Sequence, residues 1–228
     1  MDNRTEQLRK IKDEIVDAKN SPLYNFRIKN KFLPVIGEGN HNTKIMFIGE
    51  APGKNEALTG RPFCGAAGKV LDELLKSISL DRKEVYVTNI VKDRPPFNRD
   101  PLPEEIEYYA PFLDRQIEIM KPKVIATLGR FSMAYIMKKF GLESELRSIS
   151  VIHGKIFEAE TSYGPDFSKS RKDFRKIEDP RFANRASREA NRDKIKIIPL
   201  YHPAVAIYNN NTMEILKKDF MVLKEFVK

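Results

Sequence analysis

Ile45-Met46-Phe47-Ile48-Gly49-Glu50-Ala51-Pro52-Gly53 reads as a buried strand that stops abruptly in a carboxylate and a tight turn. Residues 44–48 are apolar without alternation after the leading lysine, the pattern of a parallel strand covered on both faces. Gly49, Pro52 and Gly53 then break it. In open α/β sheets, ligands bind in the crevice outside the carboxyl ends of the strands. Glu50 is therefore delivered to a place where a ligand is expected. A second turn, Gly60-Arg61-Pro62-Phe63, presents an aromatic ring just before a new helical pattern. A strand-end carboxylate facing an aromatic suits a flat polar ring such as a nucleobase.

Working outward, residues 85–89, 124–128 and 196–200 read as further strands, with a weaker candidate at 151–157. Helical patterns lie between them. Val70, Leu71, Leu74, Leu75 and Ile78 share one face, as do Ile106, Tyr109, Leu113, Ile117 and Met120 after Pro103 and two glutamates that suit a helix start. Met213, Leu216, Phe220, Leu223 and Val227 predict a C-terminal helix with Thr212 as its N-cap, and residues 4–18 an N-terminal one. Strands alternating with helices give an α/β class. The expected architecture is a three-layer sandwich, with a central, mainly parallel four- to five-stranded sheet flanked by helices. Residues 1–228 are read as a single domain. The stretch 160–194 departs from this pattern, since it is rich in Lys and Arg, including Arg171, Lys172 and Arg175, and poor in apolar residues. It cannot bury a core, and is expected as an exposed basic excursion, with helix around 181–192. Two readings of it stand: a grip on a phosphate backbone, or a solvated insertion.

The chain of 228 residues can bury a full core. Its formal net charge of +9 points to a polyanionic partner, since Lys and Arg that neutralise phosphates release counterions on binding. A single cysteine, Cys64, excludes both an intramolecular disulfide and a cysteine-held cluster. His41 and His153 lack partners at metal-ligand spacing, so no metal is expected. The charged N-terminus does not resemble a signal peptide, and no apolar run approaches a membrane span. A cytoplasmic protein with no membrane contact is expected, associated with the nucleoid in a prokaryote.

Four strand-end groups converge if the sheet is doubly wound. They are Gly49-Glu50-Ala51-Pro52-Gly53 with Glu56 further on; Phe63; Asn89, leading into Arg94-Pro95-Pro96-Phe97-Asn98-Arg99; and His202-Pro203-Ala204. Asn89 offers a donor and an acceptor together, which can read a base edge. His202 can donate to a carbonyl where negative charge grows. Each has an ordinary alternative: Phe63 as core, Asn89 as a turn former, His202 as a loop residue, and the glycine turn as a common connector. The Gly turn lacks the features of a phosphate-cradling P-loop.

The order and company of these pieces resemble the family 4 uracil-DNA glycosylases. The motifs are Gly49-Glu50-Ala51-Pro52-Gly53 with Glu56, the run from Gly60 to Gly68, Val87-Thr88-Asn89-Ile90-Val91-Lys92 with Arg94-Pro95-Pro96 and Asn98-Arg99, Pro111-Phe112-Leu113, Leu128-Gly129, and His202-Pro203-Ala204. The likeness spans about residues 23–208, apart from the excursion. Such enzymes normally hold an iron–sulfur cluster on four cysteines. Alignment on Pro22-Leu23, Arg27, Lys92, Arg94 and Pro111 puts those positions at Ala18, Ser21, Asp93 and Tyr109, so no cofactor is expected and Tyr109 is expected to fill part of the vacated volume. Two more departures are His153 before Gly154, where the family usually has Arg, and Ala57 after Glu56, where it usually has Asp.

The resemblance implies a monofunctional base-excision enzyme that acts, as a monomer, on uracil-containing DNA and leaves an abasic site. The target nucleotide is extruded into the pocket. Uracil lies on Phe63 and pairs with Asn89, while Gly49, Ala51, Pro52 and Gly53 form the wall beside it. His202 donates to O2, and Glu50 or Glu56 positions water. Arg94, Arg99 and the excursion hold phosphates, and Val205, Ile207 or Tyr208 wedges into the stack. The alternatives are a same-fold glycosylase for another deaminated base, such as hypoxanthine or xanthine, and an inactive damaged-DNA-binding protein.

Overall fold

A computed structural model describes residues 3–161, 194–207 and 210–227. The helices are α1 (Asn3–Val16), α2 (Tyr24–Lys29), α3 (Lys54–Thr59), α4 (Ala66–Ser77), α5 (Pro103–Met120), α6 (Arg130–Lys139), α7 (Ile149–Ile152) and α8 (Asn210–Met221). The strands are β1 (Glu38–Gly39), β2 (Ile45–Gly49), β3 (Tyr86–Asn89), β4 (Val124–Leu128), β5 (Phe157–Glu160) and β6 (Lys194–Leu200). They form one sheet in the order β1-β3-β2-β4-β6-β5. The inner four run parallel, and the two outermost strands pair antiparallel to their neighbours.

Every residue of β2, β3 and β4 is buried, which explains why these strands read as apolar runs rather than alternating ones. The strand period still sorts their side chains. Met46 and Ile48 join Leu8, Ile11, Tyr109 and Ile117 on one face, under α1 and α5. Ile45 and Phe47 join Leu71, Leu74, Leu216 and Phe220 on the other, under α4 and α8. The result is the expected three-layer α/β sandwich.

Three details differ from the sequence expectation. The sheet has six strands, because the two-residue β1 pairs Glu38 and Gly39 with Val87 and Tyr86 at the edge. Residues 151–157 are not a strand. The N–H groups of Val151 and His153 bond back to Ser148 and Ile149 to form α7, the chain turns at Gly154 (φ +70°), and β5 begins only at Phe157. Helix α8 starts at Asn210, so Thr212 lies within its first turn rather than at its cap. Residues 162–193, most of the basic excursion, fall outside the described part. Their flanks pair as β5 and β6, with Glu160 opposite Lys194.

From β2 the chain passes to β3 on one side, while β4 lies on the other. The carboxyl ends of β2 and β4 thus frame a topological switch point, the crevice where α/β sheets bind ligands. Glu50 stands at its lip.

Candidate active site

Gly49 and Asn89 are register partners at the ends of β2 and β3. A Cβ on Gly49 would lie 2.3 Å from Asn89 Oδ1 and 2.8 Å from the Phe63 ring. Only glycine lets the amide and the ring approach this strand end. Phe63 itself adopts φ +48°, and Gly68 of α4 comes so near that a Cβ there would fall 1.8 Å from the Phe63 carbonyl oxygen. The turn is further tied by Arg82, whose Nη2 donates to the Pro62 carbonyl at 2.6 Å. Gly49 therefore makes room for the Phe63 ring, and Gly68 for the Phe63 backbone.

His202 follows β6 and stacks on Phe63, with ring centroids 5.5 Å apart and planes at 30°. Its Nδ1 accepts the Ala204 N–H at 3.2 Å. Burial pushes its pKa down to about 4, against a small opposing pull from Glu56. The imidazole is therefore neutral near pH 7, and with Nδ1 accepting, Nε2 carries the proton. Asn89 is only 2% exposed, and its Oδ1 is buried without a hydrogen-bond partner. Buried polar atoms are rarely left so, and this one belongs to a residue lining the cleft. Behind it, the fully buried Lys92 donates from Nζ to the Asn89 carbonyl (2.7 Å), Thr88 Oγ1 (2.8 Å) and Gln116 Oε1 (2.6 Å), and its own pKa is lowered strongly by burial. Lys92 holds the backbone that carries the amide.

The two carboxylates are both anchored. Glu50 Oε1 accepts the Phe131 N–H at 2.9 Å at the start of α6, across the switch point. Burial raises its pKa, opposed by that N–H. Gly129, at φ +109°, leaves room for it: a Cβ there would sit 2.3 Å from Glu50 Oε1. Glu56 Oε1 accepts N–H groups of Cys64 (3.0 Å) and Gly65 (2.9 Å) where α4 begins. Both thus meet helix N-termini, where negative charge is favoured.

A cleft of about 310 Å³ is lined by Glu50, Ala51, Pro52, Gly53, Glu56, Phe63, Asn89, Arg99 and His202, with Gly49 beneath. Its remaining lining comes from Ala67, Pro95, Asn98 and Ala204, which belong to the motifs quoted from the sequence without a role of their own, and from Asp100 and Pro101, which sequence reading did not name. Arg99 proves less available than expected. Its guanidinium is bidentate to the buried Glu105 (2.9 and 2.5 Å) and also donates to the Asp100 carbonyl. Arg94 bonds Asn98 Oδ1 at 2.7 Å and lies over the Phe32 ring. Val205 and Ile207 are exposed on the turn after His202. Tyr208, Arg171, Lys172 and Arg175 lie outside the described residues. His153 is occupied elsewhere, paired to Asp219 at 2.7 Å and packed on Tyr201.

The four positions aligned with cluster cysteines are all buried, and three of them, Ser21, Tyr109 and Asp93, are joined by hydrogen bonds. Ser21 Oγ and Tyr109 Oη are 2.5 Å apart, and Tyr109 Oη donates to Asp93 Oδ2 at 2.6 Å. Arg27 Nη1 lies 3.5 Å from Asp93 Oδ1, and the same guanidinium caps α1 through the Ile15 and Val16 carbonyls. Burial and the Asp93 charge raise the Tyr109 pKa, so the phenol keeps its proton. Iron–sulfur clusters need thiolates. This set has none: Ser21 and Tyr109 bond each other, Tyr109 donates to Asp93 Oδ2, and Asp93 Oδ1, which accepts no hydrogen bond, faces the Arg27 guanidinium, so the residues do not fit a cluster. Among the described residues, no group of three His, Cys, Asp or Glu is arranged to hold a metal ion.

Comparison with known proteins agrees with this geometry. Residues 36–224 match the family model of the uracil DNA glycosylase superfamily. The chain is 41% identical over 221 residues to the type-4 uracil-DNA glycosylase of Sulfurisphaera tokodaii, covering 96% of this chain and 84% of that one. It is 39% identical to that of Archaeoglobus fulgidus over 220 residues (96% and 93%) and 41% identical to that of Saccharolobus solfataricus over 216 residues (94% and 84%).

Proposed function

The chain belongs to the uracil-DNA glycosylase superfamily, and from that membership we propose that it hydrolyses the N-glycosidic bond of deoxyuridine in DNA, leaving an abasic site. The observation that carries the reading is the convergence, in one cleft, of a ring platform, a partnerless amide edge and a neutral imidazole with its proton on Nε2. Duplex DNA hides the target bond, so the nucleotide must be extruded at a cost of roughly a few kcal/mol. The uracil ring then lies on Phe63. Asn89 takes N3–H and donates to O4. Cytosine offers the reversed pattern at that edge, and a mismatched buried polar group costs about 1–3 kcal/mol.

As the bond breaks, negative charge gathers on uracil O2. His202 Nε2–H donates to it. A neutral donor suits this role, because it stabilises the anion without giving up its proton to the base. One such donor is typically worth about 2.7–4 kcal/mol. The sugar cation is met by water, whose positioning we assign to Glu50. Its half-buried carboxylate has a raised pKa and is a better proton acceptor than an ordinary one. Glu56 is engaged by two N–H groups and organises the Phe63 turn.

Arg94 is the rim contact for phosphate, more so than the tied Arg99, and Arg171, Lys172 and Arg175, which lie outside the described residues, are assigned further phosphate contacts on their charge alone. Val205, Ile207 or Tyr208 fills the gap in the stack. The reading is of a monomer that acts as one domain at the nucleoid. The Ser21–Tyr109–Asp93–Arg27 network supports a cofactor-free enzyme. No helix among the described residues is long and apolar enough to cross a membrane. The test is excision from single- and double-stranded oligonucleotides carrying uracil, with hypoxanthine and xanthine controls. Uracil release alone is expected. Release of hypoxanthine in preference would move the assignment to another base.

A further inference from the structure

Phe97 is 94% exposed, the most exposed large apolar side chain among the described residues. It also sits where an L-residue is strained. Phe97 and Asn98 both adopt the left-handed region, at φ +56° and +55°. Two successive non-glycine residues in that region cost stability, and such strain persists only when the surroundings impose it. Here they do. Pro95 and Pro96 restrict the backbone before the turn. Asn98 Oδ1 is held by Arg94 Nε at 2.7 Å, the Asn98 and Arg99 N–H groups bond back to the two prolines, and Arg99 is clamped to Glu105. The fold thus spends rigidity on an aromatic ring that packs against nothing.

Its position gives the ring a use. Pro95, Asn98 and Arg99 line the cleft, so Phe97 stands on the same turn just outside it. This turn follows β3, whereas Val205 and Ile207 follow β6, and the two strands flank the β2–β4 pair. We propose that Phe97 is a second stacking platform, outside the pocket, for an unpaired nucleobase next to the extruded nucleotide. The inference rests on the DNA reading above but not on excision. Every base has a π-face, so the contact is tolerant of sequence, and stacking on one aromatic is typically worth roughly a fivefold to hundredfold change in affinity. An unpaired neighbour offers its face freely, whereas a duplex neighbour is already stacked. The contribution should therefore be larger on single-stranded DNA.

The experiment compares full-length wild type with Phe97→Leu, Phe97→Tyr and Phe97→Gly on uracil-containing oligonucleotides, single- and double-stranded, with 2-aminopurine beside the uracil. Affinity, 2-aminopurine fluorescence, melting temperature and excision are read together. Phe97→Leu should weaken single-strand binding about tenfold and abolish the fluorescence change that wild type produces; Phe97→Tyr should retain both. Phe97→Gly should weaken binding while melting no lower than wild type, because it relieves the backbone. A merely structural Phe97 would instead lower the melting temperature. Wild-type affinity and fluorescence in Phe97→Leu would overturn the proposal and turn attention to a protein partner. Wild-type protein that binds DNA through Phe97 but releases no base would remove the excision reading and leave this one standing; failure of wild type to bind DNA would remove both.

Discussion

Two buried polar clusters of this molecule, barely separated in sequence at Asn89 and Asp93, are built on opposite plans. Around Asp93 the groups close on one another: Ser21 bonds Tyr109, Tyr109 donates to Asp93 Oδ2, and Arg27, which also returns to the end of α1, sets its charge against Asp93 Oδ1, an oxygen that accepts no hydrogen bond. At Asn89 and His202 the groups are held from behind and left open in front. Lys92 takes the Asn89 carbonyl and Ala204 the His202 Nδ1, yet Asn89 Oδ1 has no partner. A closed network contributes to folding. An open one forgoes stability in order to meet something that is not part of the chain. The contrast separates residues that look equally polar and equally buried in a list.

Replacing single residues probes that contrast, beginning where the effect should be greatest. Arg27→Met strands the Asp93 carboxylate, and breaking a buried pair in this way typically costs about 3–5 kcal/mol. The melting temperature should fall accordingly, while excision per folded molecule persists. Loss of excision without loss of stability would put the closed network inside the catalytic apparatus. His202→Ala should do the reverse, lowering the single-turnover excision rate at least about 100-fold with melting and DNA binding little changed. An unaltered rate would take the imidazole out of the chemistry.

Asn89→Ala removes an orphaned acceptor, so stability should hold or rise while discrimination of uracil from cytosine falls by about 1–3 kcal/mol. Strong destabilisation would show that the amide serves the fold. The smallest effect is on pH dependence. His202 titrates near 4 in the folded protein, so the excision rate should show no step around pH 6.5. It should fall at lower pH, first as Glu50, with its raised pKa, takes a proton. Below pH 6.5 the unfolded chain protonates this histidine and the native one does not, so its contribution to stability is lost as pH falls from 6.5 towards 4. A rate step centred at 6.5 would mean the ring is solvated and charged.

The parallel strands were legible because burial on both faces writes itself as unbroken apolar runs, and the main helices because their faces repeat. What sequence hid was set by contacts across the fold. Strand β1 is two residues long and exists only through Tyr86 and Val87. The stretch 151–157 read as a weak strand, yet its first residues close locally into a helical turn and β5 begins only at Phe157. Asn89, Phe63 and His202 could be named from motif order, and the cleft does bring them together. Arg99 could not be judged, because nothing local reveals that the Glu105 carboxylate occupies it. Phe97 passed unnoticed inside a motif, as a filler between its prolines and Asn98. Only its exposure and backbone angles drew notice to it.

The pairing of Glu160 with Lys194 has a practical corollary. Directly opposed residues in an antiparallel ladder stand about 5 Å apart, a gap that a two-residue hairpin or an entire foreign module can bridge equally well. That rung is a natural splice point, at which a reporter could be grafted onto the sheet margin without disturbing the inner four strands.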